Sequence, residues 1–114
     1  MQQIEIINGP NLNLLGSREP EIYGDQTFED FLSGLRERYS SVEISYNQSN
    51  VEGEIVNFLQ SANRNDSCVG IVLNAAAYSH TSLAIADAIK SISKPVILVH
   101  ISNVYSREIE RHTD

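Results

Sequence analysis

Hydrophobic and polar positions along the chain switch repeatedly between two periods. Residues 3–7 (QIEII) form a short apolar-rich run that stops at Asn8-Gly9-Pro10, which predicts a strand followed by a breaker. From Thr27 the period becomes helical: Phe28, Phe31, Leu32 and Leu35 recur at i, i+3, i+4 and i+7, with Thr27 as N-cap and Asp30 three residues beyond it. Residues 42–46 (VEISY) alternate as a second strand. A second helix is predicted from about residue 50, capped by Asn50, with Ile55, Phe58, Leu59 and Ala62 on one face. Residues 69–73 (VGIVL) are continuously apolar, the pattern of a strand covered on both faces. A third helix over residues 81–92 turns Ile85, Ala88, Ile89 and Ile92 inward, and Pro95 then opens the strand VILVHI. From Ser102 the chain is polar, with a short helix expected near Ser106.

Strands and helices therefore alternate, and the connections are too long for hairpins. The pattern predicts an α/β fold, a doubly wound parallel sheet with right-handed crossovers and helices on both faces. No internal repeat, linker or low-complexity stretch interrupts it, and 114 residues suit one domain over residues 1–114.

Composition narrows the function. No run approaches the ~20 apolar residues a spanning helix needs, and MQQIEIINGPN has neither the basic nor the apolar region of a secretory signal, so a cytoplasmic address is expected. A formal charge of -7 disfavours nucleic acid and anionic membrane surfaces as partners. The lone Cys68 opens an apolar run with no partner at metal-ligand spacing, and is expected to be a small buried hydrophobe.

In a doubly wound sheet, ligands bind outside the carboxyl ends of the strands. The first strand-to-helix connection, residues 8–26, is far longer than the roughly 2 to 6 residues usual there and carries Asn11, Asn13, Arg18, Glu19 and Tyr23. The second, residues 47–50 (NQSN), is short and amide-rich. The third holds Asn74 and His80, and the fourth His100, Arg107 and then Arg111. Three of six arginines and two of three histidines thus gather at one edge of an acidic protein, which suits a small anion.

The same search removes other chemistries. The two lysines, Lys90 and Lys94, are expected at the opposite, amino-end side of the sheet, so a Schiff-base mechanism lacks its amine. Neither glycine-rich phosphate loop is present, acidic residues are scarce at the strand ends, and no GxSxG turn appears. Acid-base chemistry by Tyr, His and Arg remains, with no cofactor and no metal.

The segments NGPNLNLLGSREPEIYG, NQSNVEGEI, NAAAYSHTSLAIADAI and PVILVHISNVYSREIERH together resemble the type II 3-dehydroquinases, the 3-dehydroquinate dehydratases of the shikimate (aromatic amino acid) and quinate pathways. That resemblance implies a flavodoxin-like sheet and a dodecamer built from trimers. It also implies trans-dehydration of 3-dehydroquinate to 3-dehydroshikimate through an enolate. Position by position, Tyr23 resembles the base that removes a proton α to the ketone, and Arg18 the charge that holds it near its phenolate form. A phenol of ordinary pKa, about 10, works as a base near neutral pH only if its anion is favoured by ~3 to 4 kcal/mol, and a guanidinium is an obvious source. Asn11 resembles the residue that steadies the enolate through an ordered water, and His100 the general acid that protonates the departing hydroxyl. Asn74, Ser102 and the backbone N–H of Ile101 resemble the clamp on the substrate carboxylate. His80 and Arg111 match residues that hold ring hydroxyls, Arg107 an active-site arginine, and Asp87 a residue that reaches a neighbouring subunit's site.

Three positions depart from the family pattern. Leu98 stands where a glutamate commonly precedes the catalytic histidine by two residues, and Ala86 where an arginine commonly precedes the aspartate. The family also continues beyond the equivalent of Asp114 with a fifth strand and a final helix. The expectation is of a natural product longer than this chain, or of a partner covering the fourth strand's flank. A second reading, suited by these departures, is a catalytically weak or inactive homologue that serves as an oligomeric or small-anion-binding module. The intact set Asn11, Arg18, Tyr23, His80 and His100 favours the enzyme.

Overall fold

The computed structural model describes residues 1–10, 27–75 and 82–99. Four strands, β1 (Gln3–Asn8), β2 (Glu43–Gln48), β3 (Cys68–Asn74) and β4 (Val96–Leu98), alternate with helices α1 (Phe28–Arg38), α2 (Glu52–Arg64) and α3 (Leu83–Ser91). All strand pairs are parallel and the order is β2-β1-β3-β4, the doubly wound order of a flavodoxin-like sheet. Helices lie on both faces, as the alternating pattern predicts.

Side-chain alternation divides the core in two. On one face Ile7, Ile71 and Leu73 pack with Ile55 and Leu59 of α2 and with Ile85 and Ala88 of α3. Cys68 joins this face although it lies three residues before Ile71. The β1–β3 register shifts between Gln3 and Ile4, leaving Val69 as an extra residue that restores the phase. Cys68 is a buried free thiol at the start of β3, as expected. On the other face Ile6 packs with Phe28 and Leu32 of α1, joined by the half-buried Ile44, Tyr46 and Val72.

The second face departs from expectation. The run VGIVL predicts a strand covered on both sides, yet among the described residues only α1 covers this side, and it leans on β1 and β2. Val69 is 42% exposed and Ile97 63%. An apolar hollow lined by Ile4, Val69, Gly70, Val72, Pro95 and Ile97 lies over β3 and β4.

Local signals set the helix ends. The Thr27 side chain accepts from the Asp30 N–H at 3.1 Å, and the Ser82 side chain from the Ile85 N–H at 2.9 Å. Asn50, expected to cap α2, does not. Strand β2 runs to Gln48, two residues beyond the predicted end, which moves the turn forward and leaves Val51 at the N-cap with no side-chain bond. Ser49 does the local work instead, accepting from the Val51 N–H at 2.9 Å and donating to the Glu54 carboxylate. The short helix expected near Ser106 lies outside the described residues.

One residue breaks the strand pattern inside the core. Glu5, in the middle of β1, is buried and accepts from Asn47 Nδ2 at 2.5 Å, while Gln3, whose Nε2 is 3.5 Å from its other oxygen, bonds Ser45 and Asn65. Burial pushes the Glu5 carboxyl above its ordinary value of 4.5, and the two amide bonds only partly oppose this. A carboxyl whose pKa is raised on folding contributes stability below the unfolded value and loses it as pH rises through the folded value. Glu5→Gln is therefore expected to gain thermal stability over the parent by a few degrees at pH 8 and by less at pH 4. Thermal melts across that range check this, and a difference independent of pH contradicts it.

Candidate active site

The carboxyl ends of three strands finish in register. Asn8 of β1 stands opposite Gln48 of β2 on one side and Asn74 of β3 on the other. Strand alternation puts all three on the α1 face, the same side as Ile6, Tyr46 and Val72. The result is a row of three carboxamides across the carboxyl edge, with Asn8 and Asn74 each 1% exposed. Neutral amides offer donors and acceptors without bringing charge into a buried place, which suits the floor of a pocket for a polar substrate.

The chain exits at this edge are tied together by main-chain bonds. Gly9 N–H donates to the Asn74 carbonyl at 2.6 Å, Ser49 N–H to the Asn8 carbonyl at 3.1 Å, and Val99 N–H to the Leu73 carbonyl at 3.0 Å. The close passage of β1's exit over β3's requires a glycine, because a Cβ at Gly9 would lie 2.7 Å from the Ala75 carbonyl oxygen. The connections expected to carry the chemistry thus leave from one edge: residues 11–26 follow Pro10, 76–81 follow Ala75, and 100–114 follow Val99.

Of the site residues predicted from sequence, Asn74 is at this edge, buried at the end of β3. Asp87 is on the exposed side of α3, where Leu83, one turn earlier, is 86% exposed. Asn11, Arg18, Tyr23, His80, His100, Ile101, Ser102, Arg107 and Arg111 lie outside the described residues. Lys94 is at the amino-end side as expected, its Nζ donating to the carbonyls of Asn65, at 2.6 Å, and Cys68. Leu98 is in β4 and 53% exposed.

Three residues of this edge carry no site signal in the sequence pattern alone. Asn8 reads as part of a breaker and Gln48 as part of a loop, but both end strands. Tyr46 packs on Phe28, with ring centroids 4.9 Å apart, and its hydroxyl accepts from Asn8 Nδ2 at 3.3 Å. Burial raises the Tyr46 pKa, the Asn8 bond opposes this, and the charge of Glu29 adds to it. The period does give the face of Asn8 and Gln48: continuing QIEII and VEISY by two places puts both on the face of Ile6 and Tyr46. Asn47, grouped with Gln48 in the expected loop, belongs to the opposite face, where it bonds Glu5.

Comparison with known proteins agrees with this geometry. Residues 2–114 match the family described as dehydroquinase class II. The 3-dehydroquinate dehydratase of Clostridium acetobutylicum is 53% identical over 109 residues, covering 93% of this chain and 74% of that one. The enzyme of the same name from Bartonella tribocorum is 50% identical over 111 residues, covering 96% and 73%. In three dimensions the chain is similar to the crystal structure of type II dehydroquinase from Propionibacterium acnes, with a TM-score of 0.80 and 39% identity, covering 98% of this chain and 77% of that one. A flavodoxin-like sheet with polar side chains gathered at its carboxyl edge is an α/β arrangement suited to a small ligand there. The chain belongs to the class II dehydroquinase family. It is accordingly an enzyme, a lyase of the 3-dehydroquinate dehydratase class.

Proposed function

We propose that the chain converts 3-dehydroquinate to 3-dehydroshikimate by trans-dehydration through an enolate, with Tyr23 as base and His100 as general acid. The observation that carries this reading is Asn74, buried at the carboxyl edge of the sheet in a chain about half identical to 3-dehydroquinate dehydratases. A proton α to a ketone is acidic enough for a positioned side chain to remove, and a β-hydroxyl leaves as water once protonated, so no cofactor is required. Tyr23 takes the α-proton as its phenolate, which Arg18 favours by charge. Asn11 steadies the enolate oxygen through water. The enolate then expels the hydroxyl, to which His100 gives a proton, and the conjugated enone is left. Asn74, Ser102 and the Ile101 N–H hold the carboxylate, His80 and Arg111 the ring hydroxyls, and Arg107 adds positive charge.

Tyr46 is not the base in this reading. It is the described tyrosine at this edge, yet burial favours its neutral form. A phenol held neutral is a poor base. Addition of 3-dehydroquinate to the purified protein tests the proposal. The ultraviolet absorbance of the enone should appear and should persist after dialysis against a chelator. Absence of the absorbance with intact, folded protein would remove the proposal in favour of an inactive binding homologue.

Two further expectations arise here. Asp87 shares the exposed side of α3 with Leu83, which is 86% exposed and would be covered if this side met a neighbouring subunit. We place this side at a subunit boundary in a trimer-based dodecamer, with Asp87 reaching the neighbouring site. Light scattering of an active preparation should give a multiple of three, and an active monomer contradicts it. Leu98, 53% exposed on β4, offers no hydrogen bond to orient His100. Leu98→Glu adds a carboxylate there without burying charge, and should raise turnover or move its pH profile with little change in melting temperature. An unchanged profile means that another group already orients the histidine. The proposed setting is the cytoplasm, in aromatic amino acid biosynthesis or in quinate breakdown; no helix among the described residues is long and apolar enough to cross a membrane.

A further inference from the structure

The path by which β1 hands the chain on past Gly9 is narrow, and the Gln48 side chain bonds to it. Pro10 has no N–H, so the β1–β2 ladder cannot continue past Gly9 by main-chain donation from residue 10. Gly9 N–H is already committed to the Asn74 carbonyl, and its Cα side faces Ala75 too closely for any side chain. Among the described residues, the group left to fix the direction of the Gly9–Pro10 peptide is the Gly9 carbonyl. It accepts from Gln48 Nε2 at 3.2 Å, and the same nitrogen, whose two hydrogens allow two bonds, lies 3.2 Å from Asn50 Oδ1. Gln48 is itself fixed as the last residue of β2, with the next residue, Ser49, bonded through its N–H to the Asn8 carbonyl.

We propose that Gln48 is a positioning residue for the dehydration. Through the Gly9 carbonyl it sets the angle at which the chain leaves β1, and therefore where Asn11, two residues beyond Gly9, and the segment bearing Arg18 and Tyr23 begin. This rests on the assignment of Asn11 and Tyr23 made above. A glutamine carboxamide suits this role, since a shorter amide at position 48 would not reach the carbonyl and a carboxylate would repel it. Gln48 is given no proton-transfer role in this scheme. Its effect is on geometry, to which proton transfer between positioned groups is sensitive.

Two substitutions separate this role from mere support of the fold. Gln48→Met keeps the volume and removes the donors, and Gln48→Glu keeps the shape and replaces the donor with a charge that opposes the carbonyl. Both should lower kcat roughly 10-fold while KM changes by less than about threefold, with Glu the more affected. Exchange of the substrate α-proton with solvent should fall by the same factor as kcat, because the step affected is enolate formation. Melting temperatures should stay within a few degrees of the parent's. A second readout is independent of substrate: hydrogen exchange by mass spectrometry should quicken in peptides covering residues 11–26 in both variants and stay at the parental rate in α2. Parental exchange over residues 11–26 overturns the inference whatever the activity. Equal acceleration in α2 and a lowered melting point overturn it as well, by making Gln48 a support of the fold. A parent protein inert toward 3-dehydroquinate would sink the proposed reaction, and the exchange data would still decide whether Gln48 holds the segment.

Discussion

Tyr23→Phe is expected to lose at least ~10²-fold in turnover while substrate or product still binds, the usual contribution of a positioned acid-base group. The substitution keeps the ring and its area and removes only the hydroxyl that carries the proton. Arg18→Ala should fall similarly for a different reason, the loss of the charge that favours the phenolate. Its residual activity should therefore rise with pH over a wider range than the parent's. The double variant should be scarcely worse than either single one, since removing the activator of an absent base costs little more. Steady-state kinetics of the three variants across pH check these expectations. Near-parental turnover in Tyr23→Phe would make His80 the next candidate for the base.

His100→Ala is expected to abolish overall dehydration to a comparable extent, but at a different step. Hydroxide is a poor leaving group and needs a proton as it departs, so the enolate should form and then return to ketone. With Leu98 rather than a carboxylate two residues before it, His100 depends on water or backbone for its orientation. The parent's turnover should be correspondingly sensitive to any group placed at position 98. Product formation by His100→Ala at a tenth of the parental rate or more would show that another acid serves.

Much of the fold was legible in the sequence because strong periods meet local stop signals. Thr27 and Asp30 mark the start of α1, and Ile55, Leu59 and Ala62 mark the buried stripe of α2; all behave as their spacing predicts. Boundaries failed where polar residues carry strand. Asn47 and Gln48 read as loop because amides favour turns, yet register with Asn8 and a bond to Glu5 hold them in β2. The same override placed Glu5 in the core, where Asn47 lies beside it only after the sheet pairs. Coverage of the sheet was the least legible feature, since a continuous apolar run records that a strand suits burial and not which element lies on each face. At the site, Asn74 was legible as a strand-end amide. The row it forms with Asn8 and Gln48 was not, because it exists only across three paired strands.

The assignment of Tyr23 as base and His100 as acid is tested most directly by solvent exchange of the α-proton of 3-dehydroquinate in deuterium oxide, followed by NMR with the parent, Tyr23→Phe and His100→Ala. The account predicts that His100→Ala incorporates deuterium without making product, and that Tyr23→Phe does neither at more than about a hundredth of the parental rate. Deuterium incorporation by Tyr23→Phe at the parental rate, or its complete absence in a folded, substrate-binding His100→Ala, would contradict it.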